Sequence, residues 1–249
     1  MYIVALAAML AADFASASAG SAPAAATPAA AAATPAPAAT PSGPLREIVY
    51  KIGQTDTSSG TASDYGGTAT GSDSGWDQGI LTIDVLQVLQ GDILEVRASE
   101  AWNSLGGKPF AVTGYLASDG TLSLISGKYG AVMETVLPYI ASGFVAAHDM
   151  TLGTTWTLTG DADKVHFEHK YTITKIDGAD VTITVSGTMT GSGMGMFPST
   201  ETDTIVYRPA RLVPISGDFT IRTRSSNGAE DQTVTHNLRF QRVSDSKDQ

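Results

Sequence analysis

Gly-containing turn pairs recur along this chain, each set between two runs rich in β-branched residues, and this constrains its fold more than any other feature. Asp119-Gly120, Asp177-Gly178 and Asn227-Gly228 occupy such positions, and Gln90-Gly91-Asp92 resembles them. Asp-Gly and Asn-Gly accept positive φ and favour tight hairpins. The runs they join are 80–90 with 93–101, 110–116 with 121–125, 165–176 with 180–190, and 218–224 with 233–243. Ile48–Ile52 reads as a first strand and Ile205–Tyr207 as a short strand before the last pair. Hairpins between sequence neighbours build an antiparallel meander. The polar stretch Gly53–Gly79, rich in Gly, Ser, Thr and Asp, has no apolar period and reads as a long loop.

Alternation supports the strands. Val181, Ile183 and Val185 share one face while Thr182, Thr184 and Ser186 share the other. Val234, Leu238 and Phe240 oppose Thr235, Asn237 and Arg239 in the same way. This is the pattern of a sheet with one buried and one wet face. One segment departs from it. Tyr129 to Ala147 carries Val132, Met133, Val136, Leu137, Ile140 and Phe144 at near-helical spacing, with Pro138 inside. The expectation is a helix to about Leu137, followed by a kink or a second short turn. The fold class expected is mainly β: a single curved meander of about ten strands, a half-barrel or open barrel, with one short covering helix near 129–141.

The first 44 residues read differently. An apolar run, Tyr2–Ala12, leads into small residues with an A-x-A site at Ala17–Ala19, as in a secretory leader. The charged n-region of such a leader is missing, since nothing basic precedes Arg46. Residues 20–44 are almost wholly Ala, Pro, Thr and Ser, and prolines at 23, 28, 35, 37, 41 and 44 interrupt every candidate helical turn. Extended, this tract would reach roughly 75 Å. The organisation expected is signal peptide 1–19, disordered linker 20–44 and a β domain over 45–249, exported to the periplasm or the extracellular space.

Composition narrows the function. Losing the leader removes Asp13 and takes the net charge from −10 to −9. That balance argues against nucleic acid and anionic membrane surfaces as partners. The absence of cysteine excludes disulfides, thiolate metal sites and thiol catalysis. The apolar leader is too short to span a bilayer, and 7% aromatic residues do not suggest the girdles of a membrane barrel. No stable membrane insertion is expected.

Several motifs have a chemical and a plain reading. Asp73-Ser74-Gly75 resembles the serine position of chymotrypsin-like proteases, but it lies in a low-complexity stretch with no spacing that supports a triad. His166 and Glu168 would point to one side of a strand and His169 to the other. A zinc site there would need a third ligand, such as His148 or His236, and a polar solvent face is the preferred reading. His236 alternates with Val234, Leu238 and Phe240 and reads as a hydrogen-bonded core histidine. Gly191–Met196 lacks the helix that a phosphate loop requires. Asp56, Asp64, Asp73 and Asp77 match no calcium-loop spacing. Met189, Met194, Met196 and Phe197 could line an adaptable trough or simply fill core.

The order of strand pairs, then Leu137-Pro138, then Leu152-Gly153-Thr154-Thr155-Trp156, then an Asp-Gly hairpin, resembles exported bacterial β-rich proteins of unknown function. These are similar in shape to the half-barrels of the lipoprotein-localisation (LolA/LolB) group. The resemblance implies an apolar trough able to hold acyl chains. The function expected is a non-catalytic binding module for a lipid or other apolar ligand, with Val132, Met133, Val136, Leu137, Ile140 and Met189 lining the trough. The alternatives are a structural or surface-display domain acting through protein contacts and a metal-dependent hydrolase built on His148, His166 and His169. No catalytic residue, metal or cofactor is expected, and oligomeric state is left open.

Overall fold

The computed structural model describes residues 43–64, 67–106, 108–162, 165–191, 198–226 and 230–248. The expected leader and nearly all of the expected linker lie outside them, as do Asn227-Gly228, Met194, Met196 and Phe197. The described residues form one open, unclosed antiparallel sheet of 11 strands. In chain order these are β1 Arg46–Asp64, β2 Gly67–Val88, β3 Leu94–Trp102, β4 Phe110–Leu116, β5 Leu122–Gly127, β6 Thr155–Ala162, β7 Val165–Asp177, β8 Asp180–Gly191, β9 Ser199–Arg208, β10 Val213–Ser226 and β11 Glu230–Asp245. The spatial order is β5-β4-β3-β2-β1-β11-β10-β9-β8-β7-β6. The sheet is therefore a meander except at its centre, where the first strand pairs with the last.

That order explains the helical segment. β5 and β6 are consecutive in the chain yet occupy opposite edges of the sheet, so the connection between them must cross its face. It does so as α1 Ala131–Val136, a 3-10 turn Leu137–Ile140 and α2 Ser142–Ala146. Pro138 falls within the 3-10 turn and ends α1 as the sequence implies. α1 touches both β3 and β11, and the 3-10 turn touches β10. Strands that are not neighbours thus meet one plug, and the wall curls around it. Val132, Met133, Val136, Leu137, Tyr139, Ile140 and Phe144 are buried with Ile48, Tyr50, Ile83, Val96, Ile183 and Tyr207 in one cluster. Burial of each large apolar side chain contributes about 1.5–3 kcal/mol.

α1 is too short to hold itself together, and the wall caps it. Gly130 offers no capping side chain. The carboxylate of Glu100, fully buried on β3, instead accepts the Met133 N–H at 2.7 Å and the Trp102 Nε1–H at 2.7 Å. A Cβ on Gly130 would lie 2.2 Å from the Glu100 carboxyl carbon, so glycine is required there for close approach. Burial raises the Glu100 carboxyl above its ordinary value, against the N–H groups that lower it.

The sequence expectation fails over Gly53–Gly79. This stretch is not a loop: β1 runs on to Asp64, β2 starts at Gly67, and the two pair residue by residue from Arg46↔Val85 to Asp64↔Gly67. β11 pairs the other edge of β1 as far as Ala62↔Glu230. Residues 70–76 are exposed, so there is no buried face to impress an apolar period. Pairing on both sides of β1 decides the conformation, overriding the low strand preference of Gly and Asp. β9 likewise extends back to Ser199, and β6 was not anticipated.

Candidate functional site

Beyond the helical plug the inner face of the sheet continues over β1 and β11–β6. Cross-strand neighbours share a face, so registers define rows. One row runs Asp56, His236, Ile221, Glu201, Gly187, His169. The row nearer the plug runs Gln54, Leu238, Phe219, Asp203, Val185, Tyr171. The row beyond includes Ser58, Val234, Thr223, Ser199, Met189 and Phe167.

Two histidine–acid pairs stand in the middle row. His169 Nε2 is 3.1 Å from Glu201 Oε2, with both side chains at most 2% exposed. Gly187 lies between them on β8. A Cβ there would meet His169 Cδ2 at 2.2 Å, so the imidazole crosses the strand over the space a side chain would fill. Glu201 is also hydrogen-bonded to Asp203, and Asp203 Oδ1 accepts the Thr220 N–H at 3.3 Å. Burial and the Glu201 charge push the Asp203 carboxyl well above the carboxylate range. Burial also works against Glu201, but the close His169 imidazole and Asp203 outweigh it and hold Glu201 below its ordinary value. Of the two carboxyls, Asp203 therefore holds a proton more tightly than Glu201. The second pair, His236 Nδ1 to Asp56 Oδ1 at 2.7 Å, is only half-buried and forms the rim.

Aromatic rings flank the row. Phe167 packs against His169 with ring centroids 5.5 Å apart, and Phe219 and Phe240 lie 5.8 Å apart. Toward the plug, Trp156 stacks on Tyr171 at 5.1 Å and on His148 at 4.3 Å. The arrangement sets three carboxyl groups and two imidazoles on a wall that mixes Phe167, Phe219, Ile221 and Met189 with Gln54, Ser58, Ser199 and Thr223.

The structure divides the residues read from the sequence as a trough. Val132, Met133, Val136, Leu137 and Ile140 sit at 0–2% exposure inside the packed cluster under the plug. Met189 lies instead on the wall beyond it, opposite Phe167. His166 is exposed on the outer face, His169 is buried on the inner face, and His148 has its Nδ1 2.9 Å from the Phe144 carbonyl. Among the described residues, no three His, Asp or Glu side chains gather as a metal would require.

Glu201, Asp203 and Glu100 escaped the sequence reading. The signal was present: Glu201 and Asp203 alternate with Ile205 and Tyr207, and His169 alternates with Phe167, Tyr171 and Ile173. A strand drawn only over Ile205–Tyr207 hid the first pair, the partners of His169.

No family model matches this chain, and no curated protein matches it. Among solved structures, the crystal structure of Rv2717c from M. tuberculosis is similar at 11% identity with a TM-score of 0.27, over 75% of this chain and 91% of that one. Among the described residues, no helix is long and apolar enough to cross a membrane, which leaves spanning by strands unaddressed.

Proposed function

We propose that this protein is an exported, non-catalytic binding module for a lipid-like amphiphile. The observation that carries the reading is the buried His169–Glu201–Asp203 group beside Phe167, Phe219 and Met189 on the inner wall, continued to a half-open rim by Asp56–His236. Pockets for small ligands combine apolar walls with a few convergent polar groups of shifted pKa. The ligand's place is not the packed space under the helix but the wall beyond it. Its apolar part would lie along Val234, Ile221 and Met189, and its head group would meet the polar row. The apolar leader and the Ala/Pro tract support export, and the resemblance to the half-barrel group supports the ligand class.

Native mass spectrometry of the full chain with palmitate, dodecylamine and lysophosphatidylcholine, each in excess, tests this. One ligand per chain is expected for at least one of the three. Val234→Glu places a charge at a half-buried wall position and should abolish uptake with the circular dichroism unchanged. Absence of uptake for all three would refute the reading.

A further inference from the structure

The outer face of the sheet carries a groove that depends on nothing in the interior. This groove, of about 850 Å³, crosses β3, β2, β1, β11 and β10 on the side opposite the core. It runs between two rows of outward side chains. One row includes Gln78, Gly53, Arg239 and Asp218, and the other includes Ile80, Lys51 and Gln241. Crossing five strands, it is roughly 19 Å long. Gly53, which lacks a side chain, opens its middle. On the same outward face of β2, two residues before Gln78, stands Trp76 at 75% exposure, the most exposed large apolar side chain among the described residues. An exposed indole beside a groove is free to present its flat apolar face to a ligand.

We propose that this groove binds an oligosaccharide. Its length suits a chain of rings better than a compact molecule. Its walls mix polar and apolar groups: Gln78 and Gln241 each offer donor and acceptor, Lys51 and the Arg239–Asp218 pair, at 2.7 Å, offer charged partners for hydroxyls, and Ile80 and Ala101 add apolar surface for the C–H faces of rings. Trp76 provides a flat apolar face of the kind that receives the C–H side of a sugar ring. Two cations against one anion make the groove locally positive on a chain of net charge −10, so it would accept uronates as well as neutral sugars.

The test is titration of the full chain with neutral hexose, N-acetylhexosamine and uronate tetrasaccharides, followed by calorimetry and by acrylamide quenching of tryptophan fluorescence. Trp102 is buried and Trp156 half-buried, so quenching reports chiefly on Trp76. At least one class should bind and shield Trp76. Trp76→Ala should weaken binding at least tenfold, and Trp76→Phe should restore part of it. Gly53→Val fills the groove where the nearest atom to an added Cβ is 3.8 Å away, so the fold should keep its melting temperature while binding is lost. Val234→Glu, which blocks the interior wall, should leave binding unchanged. Failure of all three classes to shield Trp76, or undiminished binding in Trp76→Ala and Gly53→Val, would overturn the proposal.

Discussion

Gly187 has no room for a side chain, because the His169 ring occupies the space above its Cα. Gly187→Ala must push the imidazole away from Glu201 and should cost about 1–3 kcal/mol in urea denaturation. Gly75→Ala, with nothing within 4 Å of the added carbon, should leave the midpoint unchanged or raised; equal losses at the two positions would contradict the account. His169→Ala removes the partner of a buried carboxylate, and breaking such a pair costs about 3–5 kcal/mol. Alternation places Glu201, Asp203 and His169 on the inner face, so their direction was legible in the sequence. Their meeting was not, because β7 and β9 are separated by β8 and the contact depends on an absent side chain at Gly187.

The plug is the least self-sufficient element, two short helical turns around Pro138 with no capping side chain of their own. Met133→Ala opens a cavity in the centre of the cluster and should cost about 2–5 kcal/mol. Glu100→Ala leaves the Met133 and Trp102 N–H groups unpartnered, and each buried orphan costs about 1–3 kcal/mol. The raised Glu100 carboxyl also has a pH signature. Its contribution is complete below the ordinary glutamate value and is lost as pH rises through the raised folded value. Glu100→Gln should flatten that part of the stability–pH profile measured by chemical denaturation. The outer part of the β1–β2 hairpin is the opposite kind of element, well paired yet with none of residues 53–61 and 70–80 buried. Amides near its turn, such as Thr61 and Thr70, should exchange with deuterium far faster than those of Ile48 and Leu81.

At the scale of the molecule, the two ends of the domain are joined. Arg46 on β1 grips Asp245 on β11 through a buried bidentate pair at 2.6 and 3.0 Å, and Arg242 adds a contact at 3.3 Å. Burial pushes the Asp245 carboxyl up, but the Arg46 hydrogen bonds, the Lys247 N–H and the charges of both arginines hold it below its ordinary value. Its stabilisation is therefore complete above the unfolded carboxylate value and is lost as pH falls through the lower folded value. Arg46→Ala leaves Asp245 with only Arg242 and the Lys247 N–H and should cost about 1–3 kcal/mol at neutral pH. The variant's deficit against wild type should shrink as acid protonates Asp245. A deficit that stays constant down to the acid transition would show that the pair does not act as a clasp.

Local chemistry determined much of this protein. Turn pairs and alternation specify a mainly β antiparallel meander, and near-helical spacing interrupted by Pro138 specifies a short broken helix, because each depends on residues close together in the chain. Tertiary pairing decided the rest. Whether the described part of Gly53–Gly79 is strand rests on hydrogen bonds to β11, far away in the chain, since none of residues 53–61 and 70–79 is buried. Whether two carboxyls and an imidazole become a site rests on registers across three strands, and no single strand carries that information.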